Sequence, residues 1–115
     1  MRLYQPSTLA ELAAAYAAGE IRPDAEAVVS DSHAEEDEYA ALMTAADLSA
    51  ARLGGLADGL RRRVVVVLEA SDETAAVPLR DVRAVHADTV DDADPDDDLA
   101  WWATQELDEL LAGFA

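Results

Sequence analysis

The side chains that most often perform catalysis are scarce in this sequence. It contains two histidines, His33 and His86, and it has no cysteine and no lysine. His33 lies among acidic residues, but one imidazole with one carboxylate on the same helical face is at most half of a metal site. His86 follows Val85 in a predicted strand, where we expect it to be half buried. For both histidines we predict a structural or surface role rather than catalysis or metal binding.

The sequence also lacks recognisable motifs for a serine nucleophile or a phosphate-binding loop. None of the serines lies in a G-x-S-x-G turn, and Gly54-Gly55 follows a predicted helix instead of preceding one. We therefore expect a non-catalytic protein without a cofactor. The alternative is a small enzyme or ligand-binding domain that uses His86 with Arg80, Arg83 and nearby carboxylates.

The acidic run at 91–98 could suggest a calcium loop, because hard cations prefer clustered carboxylates. It does not fit the EF-hand pattern. With Asp92 as the first ligand, Asp97 occupies the glycine position and Ala103 the position of the bidentate glutamate. We predict that these aspartates cap a helix, and we predict no metal site.

The only basic cluster is Arg61-Arg62-Arg63. In so acidic a chain we expect these arginines to pair with carboxylates from neighbouring elements. A site for phosphate or carboxylate is the alternative, since guanidinium groups bind both in a bidentate manner.

The charge balance restricts the classes of partner. The 115 residues carry 25 acidic and eight basic side chains, a formal net charge of −17. Nucleic acids and anionic membranes need neutralising lysine or arginine, so we predict that the chain binds neither directly. A basic protein partner is favoured, self-association is possible, and imitation of nucleic acid remains open.

Length and composition indicate one domain over residues 1–115. The chain has no cysteine for disulfides, no basic region followed by an apolar run at its start, and no apolar stretch of membrane-spanning length. We therefore expect a cytoplasmic protein.

The pattern of apolar and turn residues predicts an α+β fold. Strands are expected at 2–5, 26–30 and 64–68, and helices at 9–18, 33–53 and from 95 onward. Residues 77–79 and 83–88 are expected to form either one bent strand or two short strands, interrupted near Arg80-Asp81. The run Val64–Leu68 is apolar throughout, which indicates a central strand buried on both faces. We expect a mixed or antiparallel sheet with helices packed on it.

The predicted helices have recognisable ends and buried faces. Thr8 with Glu11 forms a capping box and Gly19 ends the first helix. A second capping box at Ser32 opens the longest helix, and Asp94 with Pro95 suits the start of the last. The apolar stripe of the long helix is expected to comprise Tyr39, Leu42, Met43, Ala46, Ala50 and Leu53. That of the last helix is expected to comprise Leu99, Ala103, Leu107, Leu110 and Phe114.

The adjacent tryptophans, Trp101 and Trp102, are the best functional lead. On a helix, neighbouring residues point about 100° apart, so both cannot face one core. Trp102 would flank the apolar stripe, and Trp101 would share the polar face with three other residues. We favour cover of Trp101 by another segment of the chain, with contact to a partner as the alternative. The candidate interface is Trp101, Thr104, Gln105 and Asp108.

Several short motifs resemble an uncharacterised family of small acidic proteins from actinobacteria. The matching segments are Met1 to Thr8, Glu38 to Leu42 with Ala45-Ala46, Val77 to Leu79 with Val82 to His86, and Trp101 to Glu106. The resemblance implies a cytoplasmic protein. It also favours the base composition of the genome as the reason that every basic residue except histidine is arginine. It brings no activity, cofactor or catalytic residue. The function we predict is that of an acidic interaction or regulatory protein which contacts another protein.

Overall fold

Seven strands and three helices lie within residues 1–112, the part of the chain that the computed structural model describes. The strands are β1 (Arg2–Ser7), β2 (Glu20–Ile21), β3 (Val28–Val29), β4 (Val64–Glu69), β5 (Val77–Pro78), β6 (Val82–Ala87) and β7 (Ala100–Trp102). The helices are α1 (Leu9–Ala18), α2 (Glu35–Ala50) and α3 (Leu107–Leu110). Single 3-10 turns cover Leu79–Asp81 and Thr104–Glu106.

Five strands form one antiparallel sheet in the order β3-β1-β4-β6-β7. β2 and β5 form a separate two-stranded antiparallel ribbon. The predicted α+β class is confirmed, and the sheet is antiparallel rather than mixed. The predicted interruption near Arg80 is also confirmed, and of the two alternatives the structure has two strands, because the 3-10 turn Leu79–Asp81 separates β5 from β6.

Helices cover both faces of the sheet, and this explains the unbroken apolar run of β4. Val64, Val66 and Leu68 pack with α1 and α3 on one face, whereas Val65 and Val67 pack with α2 on the other. All five side chains are at most 5% exposed. The central, doubly buried strand predicted from the sequence is therefore confirmed.

β1 continues through Pro6, where the sequence predicted its end. Met1 and Ala70 exchange both backbone hydrogen bonds, so by alternation the odd-numbered residues of β1 bond to β4 and Pro6 faces away from it. On that side β3 pairs only with Leu3 and Tyr4. The missing N–H of Pro6 therefore costs the sheet no hydrogen bond.

The first helix has the predicted ends. The Thr8 hydroxyl accepts the Glu11 N–H at 3.1 Å, and Gly19 adopts a left-handed conformation with φ of 82°. The carboxylate of Glu11 binds Arg52 in place of the second half of the capping box.

α2 differs from its prediction in its ends and in its buried face. No side chain caps its start at Ala34, and the helix stops at Ala50, short of Leu53. Tyr39 is 51% exposed, and the fully covered residues are Ala41, Ala45, Ala46 and Ser49. These small side chains allow the helix to approach the sheet closely, with Leu42 and Met43 packed beside them.

The helix predicted from Asp94 onward is wrong. Residues 94–98 form turns and loop, Ala100–Trp102 is a strand paired with β6, and only Leu107–Leu110 is α-helical. Leu99 and Leu107 are buried as expected, although Leu99 lies outside any helix. Phe114 lies outside the described residues.

The second predicted strand is also shorter than expected, because only Val28–Val29 of 26–30 pairs with β1. No helix within the described part of the chain is long and apolar enough to cross a membrane.

Candidate interaction surface at strand β7

Trp101 lies at the middle of β7, the strand at one edge of the sheet. It stands opposite His86, whereas Trp102 stands opposite Val85. Because successive strand residues point to opposite faces, Trp102 packs into the core beneath α1 and Trp101 lies on the α2 face with Leu99. Trp101 is 61% exposed, so the intramolecular cover that we favoured is wrong within residues 1–112.

The backbone of Trp101 faces the open edge of the sheet. The Asp88 N–H donates to the Arg63 carbonyl at 3.0 Å, so Asp88 and His86 point toward β4, and Val85 and Ala87 point toward β7. Ala100 and Trp102 are the residues opposite these two. The N–H and C=O of Trp101 therefore point away from the sheet, and nothing in residues 1–112 bonds to them.

Acidic and aromatic groups precede β7. The Tyr39 hydroxyl donates to Asp98 Oδ1 at 2.9 Å, which ties α2 to the segment leading into the strand. This bond and the charge of Asp98 and Asp96 raise the pKa of Tyr39. Asp98 is three residues from Trp101, a span of at most about 10 Å. Two exposed aromatic side chains and several carboxylates thus share one region of the surface.

The residues after β7 have structural roles. The Glu106 carboxylate accepts the Ala103 N–H at 2.8 Å, and the Thr104 hydroxyl donates to the Val82 carbonyl at 2.7 Å. Asp108 accepts the Tyr16 hydroxyl, and Gln105 is exposed. The four predicted interface residues therefore do not form one helical face.

The weaker candidates, His86, Arg80 and Arg83, lie in three different environments, and no hydrogen bond or ion pair joins their side chains in the described part of the chain. His86 is half buried on β6, and burial lowers its pKa. The Arg83 guanidinium lies 3.4 Å from Glu69, and Arg80 is exposed on the 3-10 turn before β6. Within residues 1–112, His86 makes no side-chain hydrogen bond or ion pair.

Each arginine of the basic cluster pairs with a carboxylate, as the sequence predicted. Arg61 binds Asp92 and Arg62 lies 3.5 Å from Asp91. Arg63 is the buried member, and its guanidinium forms two bonds with Asp88, of 2.8 and 2.9 Å. These bonds and the charge of Asp88 raise the pKa of Arg63.

Arg63 also determines the path of the acidic loop. Its terminal nitrogens donate to the backbone carbonyls of Asp94, Pro95 and Asp97 at 2.9 to 3.3 Å. In a helix that began at Asp94, those carbonyls would instead accept the backbone N–H groups four residues further along the chain. The guanidinium thus holds the loop in the conformation that leads into β7.

A crevice of about 340 Å³ lies beside this cluster, between the end of α2 and the acidic loop. Its lining includes Ala50, Leu53 and Pro95, and Arg61 and Arg63 face it. Because protein carboxylates already engage both guanidinium groups, the site offers little to an anionic ligand. Over the described range, no three carboxylate or imidazole side chains are grouped as a metal site would need.

The comparison with known proteins gives one match. The model of a family of unknown function, DUF6912, matches residues 1–111. The chain belongs to that family. No curated protein and no solved structure matches it.

The surface of this DUF6912 chain is dominated by unpaired acids. Six of the eight arginines lie within 4.0 Å of a carboxylate, and they engage nine of the 25 acidic side chains. Sixteen carboxylates in residues 1–112 therefore lack an arginine partner. From the sequence, exposure of Trp101 is only the alternative, and Tyr39 is predicted to lie in a buried stripe. The signal that this prediction missed is that the apolar residues at 99 and 101 have the spacing of a strand.

Proposed function

We propose that this protein is a non-catalytic binding protein that holds a basic segment of another protein on the surface around Trp101. The observation that carries the proposal is the 61% exposure of Trp101 on an edge strand in a chain of net charge −17. Large exposed aromatic side chains are typical of contact surfaces, where tryptophan often contributes much of the binding energy.

The chemistry of this surface favours arginine and lysine. An indole ring attracts a cation placed over its face, an interaction of roughly 0.5–2 kcal/mol. Asp96 and Asp98 lie before the strand, and the wider field of sixteen unpaired carboxylates would accelerate the approach of a basic partner. The same field opposes binding to nucleic acids.

The alternative function, an enzyme or ligand-binding domain built on His86, Arg80 and Arg83, has no observation in its favour. Arg83 is engaged by Glu69, and none of these three residues lines the crevice beside Arg63.

The proposal is tested by isothermal titration calorimetry with decaarginine at about 0.15 M salt. At this concentration, salt partly screens the long-range attraction between exposed charges. We expect Trp101→Ala to weaken binding by about fivefold, the loss of roughly 1 kcal/mol of cation–π attraction. Val29→Ala is the matched control, because Val29 is an exposed apolar residue (44%) on β3, the strand at the opposite edge of the sheet. Equal affinity of the wild type and Trp101→Ala would contradict the proposal, since binding would then reflect net charge alone.

A further inference from the structure

We infer that the basic partner segment binds in an extended conformation, as an additional strand paired with the open edge of β7. The inference rests on the proposed function and adds the binding mode and the sequence pattern of the partner. β7 is the last strand of the sheet, and the backbone N–H and C=O of Trp101 point outward without a partner in residues 1–112. An added strand would satisfy both groups with main-chain hydrogen bonds.

The open edge has a defined length. β7 spans Ala100 to Trp102, and Trp101 is the residue of this strand whose backbone groups point outward. The Glu106 carboxylate already accepts the Ala103 N–H, so pairing cannot continue past Trp102. The edge available to a partner is therefore the three residues of β7, centred on Trp101, and the contact is short.

The register also specifies the side chains of the partner. The residue paired with Trp101 would place its side chain on the α2 face, beside the indole and on the side of Asp98. Arginine or lysine fits this position, since it meets both an aromatic face and carboxylates. Alternate residues would lie on the opposite face beside the half-buried Trp102, where an apolar side chain fits. The partner segment therefore alternates basic and apolar residues.

Charge decides between a foreign segment and a second copy of this chain. Pairing β7 with β7 would bring together two chains of net charge −17 and the Asp96 to Asp98 segments that precede each strand. This repulsion disfavours the homodimer, whereas a basic segment gains attraction from the same groups.

The test uses the peptide acetyl-(Arg-Val)4-amide and two backbone N-methylated forms, one methylated on every arginine and the other on every valine. In the inferred register the added strand is antiparallel to β7, so the arginine N–H groups face β7 and the valine N–H groups face away. We expect methylation of the arginines to weaken binding at least about tenfold, since main-chain hydrogen bonds are lost. Methylation of the valines should change the affinity by less than about threefold. Protection of the Trp101 amide from hydrogen exchange should rise when the unmodified peptide binds.

The outcomes separate the inference from the proposed function. If both methylated peptides bind as tightly as the unmodified one while Trp101→Ala still weakens binding, strand pairing is wrong and the proposed function stands. If decaarginine and the (Arg-Val)4 peptide bind Trp101→Ala and the wild type equally, both are wrong. A homodimer in sedimentation at low salt whose formation protects the Trp101 amide would also overturn the inference.

Discussion

The hydroxyl of Ser49 accepts the backbone N–H of Val64 at 2.9 Å and so joins α2 directly to the central strand. The same hydroxyl donates to the Ser7 carbonyl at 2.7 Å. Val64 and Ser7 are paired residues of β4 and β1, so the serine side chain is inserted between two backbone groups at the end of that ladder. Ser49 is fully buried, and water cannot replace it.

Replacement of this serine should destabilise the fold more than its size suggests. In Ser49→Ala, two buried backbone groups lose their partner, at a cost of roughly 1–3 kcal/mol in the free energy of unfolding. Urea denaturation measures this, with Ser71→Ala as the control because Ser71 is exposed. If the two variants were equally stable, the bridge would contribute nothing.

The ion pair between Arg63 and Asp88 should behave as a buried unit. Their side chains are only 4% and 3% exposed, so Asp88→Leu or Arg63→Met leaves a buried charge without its partner. We expect each single variant to lose roughly 3–5 kcal/mol of stability, and the double variant Arg63→Met/Asp88→Leu to recover part of it.

An exposed ion pair is the control for this prediction. Arg83→Met removes the contact with Glu69, in which Arg83 is 60% exposed, and should cost less than about 1 kcal/mol. Denaturant unfolding of all four variants checks the prediction. Fully additive effects in the double variant would argue against coupling between Arg63 and Asp88.

The two tryptophans should differ in their contributions to stability. Trp101→Ala removes an exposed side chain and should change the free energy of unfolding by less than about 0.5 kcal/mol. Trp102→Ala removes a side chain packed against the core and should cost at least about 2 kcal/mol. Thermal and urea unfolding compare them. A strongly destabilised Trp101→Ala protein would show that its indole is covered in solution.

Added salt should stabilise the protein. Sixteen carboxylates of residues 1–112 have no arginine within 4.0 Å, and their mutual repulsion opposes the compact state. At about 0.15 M salt the screening length falls to ~8 Å, which weakens this repulsion. We expect Tm to rise between about 0.01 M and 0.5 M sodium chloride. A flat or falling Tm would mean that paired charges outweigh the unpaired ones.

His86 should make stability depend on pH in the weakly acidic range. Burial lowers the pKa of His86 in the folded protein, so the unfolded state binds the proton more readily. Stability is therefore lost as the pH falls below about 6.5, the pKa of an unperturbed histidine, and the loss is complete below the folded pKa. The difference between the wild type and His86→Gln, measured by urea unfolding from pH 7.5 to 5, isolates this effect.

The carboxylates are the same in the wild type and in His86→Gln, so their titration cancels in this difference. If His86→Gln followed the wild-type curve, the imidazole of His86 would be freely protonated in the folded protein.

The family assignment confirms that the short motifs belong to an uncharacterised family, because DUF6912, a family of unknown function, covers residues 1–111. Local signals were sufficient for the first helix, where the Thr8 hydroxyl and the left-handed Gly19 define both ends. They were also sufficient for β4, because a strand buried on both faces needs apolar side chains at every position.

The conformation of the segment from Asp94 to Trp102 depends on tertiary contacts. Its aspartates and Pro95 have the composition of a helix start, yet Arg63 binds the carbonyls that such a helix would use, and β6 pairs with Ala100 to Trp102. The buried face of α2 was likewise set by contact with the sheet, which selected small residues over large ones.

The sequence by itself determined the acidic character, the α+β class and the central position of β4, since each follows from composition or from a run of neighbouring residues. Only the tertiary structure decided that Trp101 is exposed on an open sheet edge opposite His86. That arrangement depends on contacts between residues far apart in the chain, and local preferences carry no information about them.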